Sequence, residues 1–156
     1  MIIRKAVIED IKPIHRILAH FGGRNLLLSR SLNELFTHLR DYFVVVSEEE
    51  PDRVLGVCGL RICWEDLAEI KSLAVEESRQ KKGAGRLLVE ACLDEARELG
   101  IKKVFALTYV PVFFQRMGFN EVEKSTLPQK VWGDCLSCPK FPDCDEHAVE
   151  IILTVG

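Results

Sequence analysis

The sequence lacks any apolar run that approaches the roughly 20 residues a membrane-spanning helix needs. Its first residues, MIIRKAVIEDIKPIH, reach charged side chains too soon for the apolar region of a signal peptide. An excess of positive charge is also lacking, because the formal net charge is −3. Nucleic acids and membranes are therefore not expected as partners, and the chain is predicted to be soluble and cytoplasmic.

Internal repeats and low-complexity segments are also lacking, and the 156 residues predict a single domain spanning 1–156. Hydrophobic residues make up 47% and charged residues 29% of the chain, a mixture that can bury a globular core. The six cysteines of such a chain are expected to be thiols or metal ligands rather than disulfides.

Hydrophobic periodicity predicts the order strand, helix, helix, three strands, helix, strand, helix and two strands. The first helix carries Ile11, Ile14, Leu18 and Phe21 at helical spacing, and Asp10 is placed to cap it. The later segment NEVEKS is predicted to be the penultimate strand.

The second helix is predicted to begin at a capping box. In this motif the Ser31 side chain accepts a hydrogen bond from the Glu34 amide, and the Glu34 side chain reaches back to the Ser31 amide. The apolar face expected to follow comprises Leu32, Leu35, Phe36 and Leu39.

The segment QKKGAG, after the predicted strand AEIKSLAV, has the composition of an anion-binding turn. Gly83 and Gly85 let the backbone approach a ligand, and the first amides of the following helix point outward without partners. The helix dipole and the charges of Lys81, Lys82 and Arg86 would favour a pyrophosphate. The third glycine of a dinucleotide fingerprint and the Gly-Lys-Ser/Thr of a P-loop are both missing, and a plain glycine-containing turn is the alternative.

The pattern Gln80-x-x-Gly83-x-Gly85 resembles the acetyl-CoA signature of the GNAT N-acetyltransferases. VPVFFQRMGF resembles a second motif of that family, a short helix that ends in Gly-Phe. The order of elements is similar over essentially the whole chain. The resemblance implies an α/β (α+β) GNAT fold, with a mixed central sheet of about seven strands that is splayed between the fourth and fifth strands and flanked by helices.

Within that family, LLLSRSLNEL, AEIKSLAV, FFQRMGF and LPQKVWGDCLSCPKFPDCDE resemble short, stand-alone N-acetylglutamate synthases. This resemblance implies transfer of an acetyl group from acetyl-CoA to the α-amine of an amino acid, glutamate above all, in the first step of arginine biosynthesis. Both substrates would be bound together, and the amine would attack the thioester directly. A homodimer is compatible with the sequence.

The resemblance places acetyl-CoA along the strand 66–76 and the loop that follows it. Backbone groups of Leu73, Ala74 and Val75 would pair with the pantetheine arm, and an amide near Leu73 would face the thioester oxygen. The pyrophosphate would lie on the residues that open the next helix: Gln80, Lys81, Lys82, Gly83, Ala84, Gly85 and Arg86.

Catalytic roles are implied for three residues. Glu69 matches the base proposed to deprotonate the α-ammonium group, Thr108 matches a hydroxyl on the proton path, and Tyr109 would protonate the departing thiolate. For the substrate carboxylates, Arg30 matches an arginine whose planar fork binds both oxygens, and Lys130 is the second predicted contact. Each of these is also an ordinary residue for a strand or a solvated loop.

The segment 130–147 concentrates Cys135, Cys138, Cys144 and His147. Their spacing, C-x₂-C-x₅-C-x₂-H, is compatible with a zinc or iron–sulfur site and also with packed thiols that shape a loop beside the substrate. Two other functions stay open. The first is an acetyltransferase for another amine, such as a protein N-terminus, and the second is a metal- or redox-responsive module that binds acyl-CoA without turnover.

Overall fold

The structure is a computed structural model that describes residues 1–23, 31–77, 83–127 and 146–153. The strands are β1 Ile2–Lys5, β2 Tyr42–Val46, β3 Val54–Trp64, β4 Leu67–Val75, β5 Lys103–Thr108, β6 Asn120–Val122 and β7 His147–Ile152. The α-helices are α1 Ile11–Gly23, α2 Leu32–Thr37, α3 Ala84–Glu98 and α4 Pro111–Gln115. The predicted order of strands and helices is confirmed. Among the described residues, no helix is both long enough and apolar enough to cross a membrane.

The seven strands form one mixed sheet in the order β1-β2-β3-β4-β5-β7-β6. β4 and β5 are parallel, and Leu67, Ala68 and Glu69 pair with Lys103, Val104 and Phe105. β4 continues to Val75 and β5 to Thr108 beyond the last of these pairs. Since α3 connects these two parallel strands, the arrangement is the α/β crossover that the sequence predicts.

The chain divides into two compact units, and unit 1 comprises Met1–Arg61 and Ile70–Glu95. Ile11, Ile14 and Leu18 of α1 are fully buried, as their spacing on one helix face requires. They belong to a hydrophobic cluster that includes β-branched residues of β2 and β3. Burial of this helix face against β-branched strand residues removes apolar surface from water and so stabilises unit 1.

Unit 2 comprises Ile62–Glu69 and Ala96–Gly156. Its described core contains Leu67, Phe105, Leu127 and Ala148, all buried. In α4, which opens with proline in its first turn, Phe114 packs edge-on against Phe119 with the ring centroids 5.1 Å apart. Gly118 has φ of 99°, a value that glycine adopts at little cost, so the predicted Gly-Phe helix ending is confirmed.

Two sequence predictions are corrected. α2 is only six residues long, and the predicted apolar face of this helix is buried only in part. Leu35 is fully buried, whereas Leu32 and Phe36 are 38% and 43% exposed. Leu39 falls in a separate 3₁₀ turn, Leu39–Asp41. The strand predicted at NEVEKS ends at Val122, because a 3₁₀ turn follows in which the Thr126 hydroxyl donates to the Glu123 carbonyl at 2.7 Å.

The helix-capping predictions have different outcomes. The Ser31 side chain accepts from the Glu34 amide at 3.1 Å, as predicted. Asp10, by contrast, lies inside a 3₁₀ turn, Ile8–Asp10, and does not cap α1. Its buried carboxylate accepts from the Val7 amide at 2.7 Å and from both terminal nitrogens of Arg4 at 2.6 and 3.0 Å.

Candidate active site

The side chains of β4 do not alternate regularly between buried and open positions. Ile70 and Lys71 are both buried, and the next two residues, Ser72 and Leu73, are both partly exposed. The irregularity coincides with Ser72, whose φ of 57° lies in the left-handed region that residues other than glycine rarely adopt. β4 therefore changes its side-chain pattern at the residue before Leu73, the predicted contact of the thioester.

The remaining predicted contacts of the pantetheine arm lie at the end of β4. Ala74 and Val75 are 5% and 7% exposed, so their side chains belong to the interior. The strand ends where the Glu76 amide donates to the Leu55 carbonyl at 2.8 Å. Their side chains are therefore not available to a ligand, and the predicted contact of their backbone groups with the pantetheine arm stays a prediction.

Lys71 is a buried cation that is not among the predicted site residues. Its side chain is 3% exposed, and its Nζ lies 3.3 Å from Asp41 Oδ2 and 5.4 Å from the centroid of the Tyr42 ring. A Cβ at position 59 would lie 3.0 Å from Tyr42 and 3.3 Å from Lys71, so Gly59 leaves room for both side chains. An ammonium group removed from water needs such partners, and Asp41 and Tyr42 supply them here.

The predicted pyrophosphate segment is described from Gly83 onward. Gly83 has φ of 85° and immediately precedes Ala84, the first residue of α3. The Gly83 carbonyl accepts from the Leu87 amide at 3.0 Å, so the first turn of the helix is formed. The Arg86 side chain is exposed and lies 2.8 Å from Glu90 Oε1 one turn later. The contact of these residues and of Gly85 with a pyrophosphate stays a prediction.

In unit 2, Glu69 is partly exposed and is the register partner of Phe105 in the parallel pairing of β4 with β5. Side chains alternate along a strand, so Thr108, three residues after Phe105, lies on the opposite face from Phe105 and Glu69. Thr108 is 7% exposed, and its Oγ1 accepts from the Val110 amide at 2.9 Å. The Thr108 hydroxyl therefore shapes the turn that leads from β5 into α4.

Tyr109 is partly exposed in that same turn, between the end of β5 and the Val110 N-cap of α4. Because it follows the last strand residue, strand alternation no longer determines the direction of its side chain. The structure thus brings Glu69 to the β4–β5 pairing and Thr108 and Tyr109 to the β5–α4 turn.

His147 is the first residue of β7 and pairs with Thr108 across the β5–β7 ladder. Its Nδ1 lies 3.2 Å from Glu121 Oε2, so in the described part of the chain His147 is held by a carboxylate. No group of three or more metal-ligating side chains occurs among the described residues. The following predicted residues lie outside them: Arg30, Gln80, Lys81, Lys82, Lys130, Cys135, Cys138 and Cys144.

A cleft of about 610 Å³ lies elsewhere in unit 1. Its lining consists of Pro13, Arg16, Ile17, His20, Asp52, Arg53, Val54, Glu76 and Glu77. Arg53 and Glu76 pair across it at 3.1 Å, and His20 and Glu77 pair at 3.5 Å. None of the predicted site residues lines this cleft, so its size alone does not make it the catalytic site.

The parallel β4–β5 pair, the glycine that opens α3 and the short α4 ending in Gly-Phe define the class of protein. The model of the acetyltransferase (GNAT) family matches residues 11–119, and the chain therefore belongs to that family. It is an acetyl-CoA-dependent N-acetyltransferase of the GNAT type, as the sequence motifs predict.

The chain is similar to two acetyltransferases over most of its own length and of theirs. An uncharacterized N-acetyltransferase of Chlorobaculum tepidum is 42% identical over 147 residues, which cover 94% of this chain and 93% of that protein. An amino-acid acetyltransferase of Mycobacterium tuberculosis is 29% identical over 133 residues, which cover 85% of this chain and 76% of that protein.

Among solved structures, N-acetylglutamate synthase from Neisseria gonorrhoeae, complexed with coenzyme A and N-acetyl-glutamate, is 26% identical, with a TM-score of 0.87. The match covers 98% of this chain but only 35% of that protein.

Proposed function

We propose that the chain transfers an acetyl group from acetyl-CoA to the α-amine of a free amino acid, with glutamate as the first candidate. The observation that carries the proposal is the placement of Glu69, a partly exposed carboxylate at the last β4–β5 pair. The substrate class is supported by the similarity to an amino-acid acetyltransferase and to an N-acetylglutamate synthase. With glutamate as substrate, the reaction would be the first step of arginine biosynthesis.

In the proposed reaction both substrates are bound together. Glu69 takes a proton from the α-ammonium group, because only the neutral amine is a nucleophile. The amine attacks the thioester carbonyl, whose oxygen becomes negative and accepts a hydrogen bond from the backbone amide near Leu73. The carbon–sulfur bond then breaks, and Tyr109, with Thr108 beside it, gives its proton to the departing thiolate. The extra proton that the nitrogen carries after the attack passes to the tyrosinate, which leaves a neutral amide and a free thiol.

Binding of the two substrates rests on separate groups. The amides that open α3 after Gly83 are suited to the pyrophosphate of coenzyme A, since they lack partners within the helix. Arg30 and Lys130 are the proposed partners of the substrate carboxylates, with Arg30 binding one of them through two parallel hydrogen bonds.

The proposal is tested by incubating the purified chain with acetyl-CoA and a panel of amino acids while the release of free coenzyme A thiol is measured. Release above the no-amine background is expected with glutamate, followed by its closest amino-acid analogues. Release only with peptides that present a free N-terminus would replace the proposal with a protein acetyltransferase. No release with any amine would support the non-catalytic acyl-CoA-binding module.

Arg30→Ala is expected to raise the KM for the amino acid by about 10- to 100-fold, because the variant loses a hydrogen-bonded charge pair with the substrate carboxylate. The KM for acetyl-CoA should stay within about twofold of the wild-type value. Arg30→Lys should fall between the two, because it keeps the charge and loses the fork. Arg16→Ala, which removes an exposed arginine of α1, is the matched control. Equal increases in both KM values would contradict the role of Arg30.

A further inference from the structure

Ser72 in β4 combines two unfavourable features in a single residue. Its backbone has φ of 57°, which costs a residue with a Cβ on the order of 1 kcal/mol or more. Its Oγ is buried and has no hydrogen-bond partner. A buried hydroxyl without a partner adds a desolvation cost of about 1–3 kcal/mol.

Glycine at this position would remove both costs at once, because it adopts positive φ freely and has no hydroxyl. The serine side chain is therefore unexplained by the stability of the fold. A strained residue with an unsatisfied polar group is a sign that the group is used in another state of the protein, such as a complex with a ligand.

The neighbours of Ser72 indicate what that ligand is. Only Glu69, Ser72 and Leu73 are partly exposed in β4, and the other two are the proposed base and the proposed contact of the thioester. Because Ser72 itself is partly exposed, a rotation about its χ1 to another staggered position can turn Oγ from the enclosed side toward the open side.

We propose that the Ser72 hydroxyl donates a hydrogen bond to the carbonyl oxygen of the acyl thioester, as a second donor beside the Leu73 amide. This inference rests on the proposed function. The nitrogen–carbon bond forms, the carbon–sulfur bond breaks and the amine proton goes to the base, while Ser72 keeps its own proton throughout. Because the thioester oxygen becomes negative only in the tetrahedral intermediate, this hydrogen bond strengthens as the reaction proceeds.

The test uses Ser72→Ala and Ser72→Gly, with Ser125→Ala at an exposed serine as the control. Affinities for acetyl-CoA and for coenzyme A are measured by calorimetry in the absence of any amine. Both Ser72 variants are expected to bind acetyl-CoA about fivefold more weakly and to bind coenzyme A unchanged, since only the acylated ligand offers the carbonyl. Turnover should fall by about 10- to 100-fold in both variants.

The melting temperature separates this role from a structural one. Ser72→Gly should melt above the wild-type chain, because it relieves both costs, and Ser72→Ala should melt no lower than the wild type. Three results would each overturn the proposal. The first is an equal loss of affinity for acetyl-CoA and for coenzyme A, and the second is a melting temperature of Ser72→Ala below that of the wild type. The third is unchanged acetyl-CoA affinity together with unchanged turnover. If no amino acid is acetylated, the proposed function fails while the comparison of the two affinities still decides the role of Ser72.

Discussion

Glu69→Gln is expected to lower kcat by about 100-fold or more and to leave the KM values for both substrates within about twofold. A positioned general base contributes roughly 10²- to 10⁴-fold to such a reaction, and glutamine has nearly the same shape but cannot accept the proton. Because the lost interaction belongs to the transition state, the effect should appear in kcat and in kcat/KM alike. Steady-state thiol release with the preferred amino acid measures it.

The matched control for this variant is Glu65→Gln. Glu65 is an exposed carboxylate in the turn that connects β3 and β4, so its replacement makes the same chemical change a few residues away. Wild-type turnover is expected for the control. If Glu69→Gln also retains wild-type turnover, Glu69 is not the base, and a carboxylate outside β4 has to be sought.

The elements of the fold were predictable because their signals are local. Ile11, Ile14 and Leu18 repeat at helical spacing, and all three prove to be fully buried. The Ser31 cap is equally local, since it depends on two residues three positions apart. The short α2 and β6 were less predictable, because a helix or strand ends where tertiary packing stops favouring it, and the ends are the least certain part of any sequence-based assignment.

The distinctive features of β4 could not be predicted, because they depend on other strands. In AEIKSLAV, regular alternation would give Ile70 and Lys71 opposite environments, yet both are buried. Lys71 can be buried because its ammonium group pairs with Asp41 and lies over the Tyr42 ring, and because Gly59 has no side chain to crowd it. These three residues lie 12 to 30 positions away in the sequence. The positive φ of Ser72 likewise has no local signal, since serine gives no indication of it.

The candidate site was predicted from motifs, and only part of those motifs is described by the structure. Gly83 before α3 and the Gly118-Phe119 ending of α4 are where the family pattern places them. The separation of Glu69 and Thr108 onto opposite faces could not be read from the motifs, because it follows from the register between β4 and β5. A strand register is a long-range property that a single strand sequence specifies weakly.

Asp10→Asn is expected to lower the free energy of unfolding by about 2–3 kcal/mol at neutral pH. Asp10 is 3% exposed, and its carboxylate accepts two hydrogen bonds from Arg4 and one from the Val7 amide. Asparagine keeps the shape but loses the charge and turns one acceptor into a donor that faces the guanidinium. Denaturant unfolding of both proteins, followed by circular dichroism, measures the difference.

The same site predicts a dependence on pH. Burial alone would raise the pKa of Asp10, but the hydrogen bonds from Arg4 and from the Val7 amide, together with the Arg4 charge, outweigh it and hold the pKa below its ordinary value of 3.8. A carboxyl group with a lowered pKa in the folded state stabilises the fold above its unfolded pKa and loses that contribution as the pH falls through the folded value.

The difference in free energy of unfolding between the wild-type chain and Asp10→Asn, the stability gap, should therefore be constant at neutral pH and should narrow below about pH 4. Glu9→Gln, at the exposed neighbouring carboxylate, should show no such gap. A gap that stays constant down to pH values below 3.8 would show that the Asp10 charge contributes nothing to the stability of unit 1.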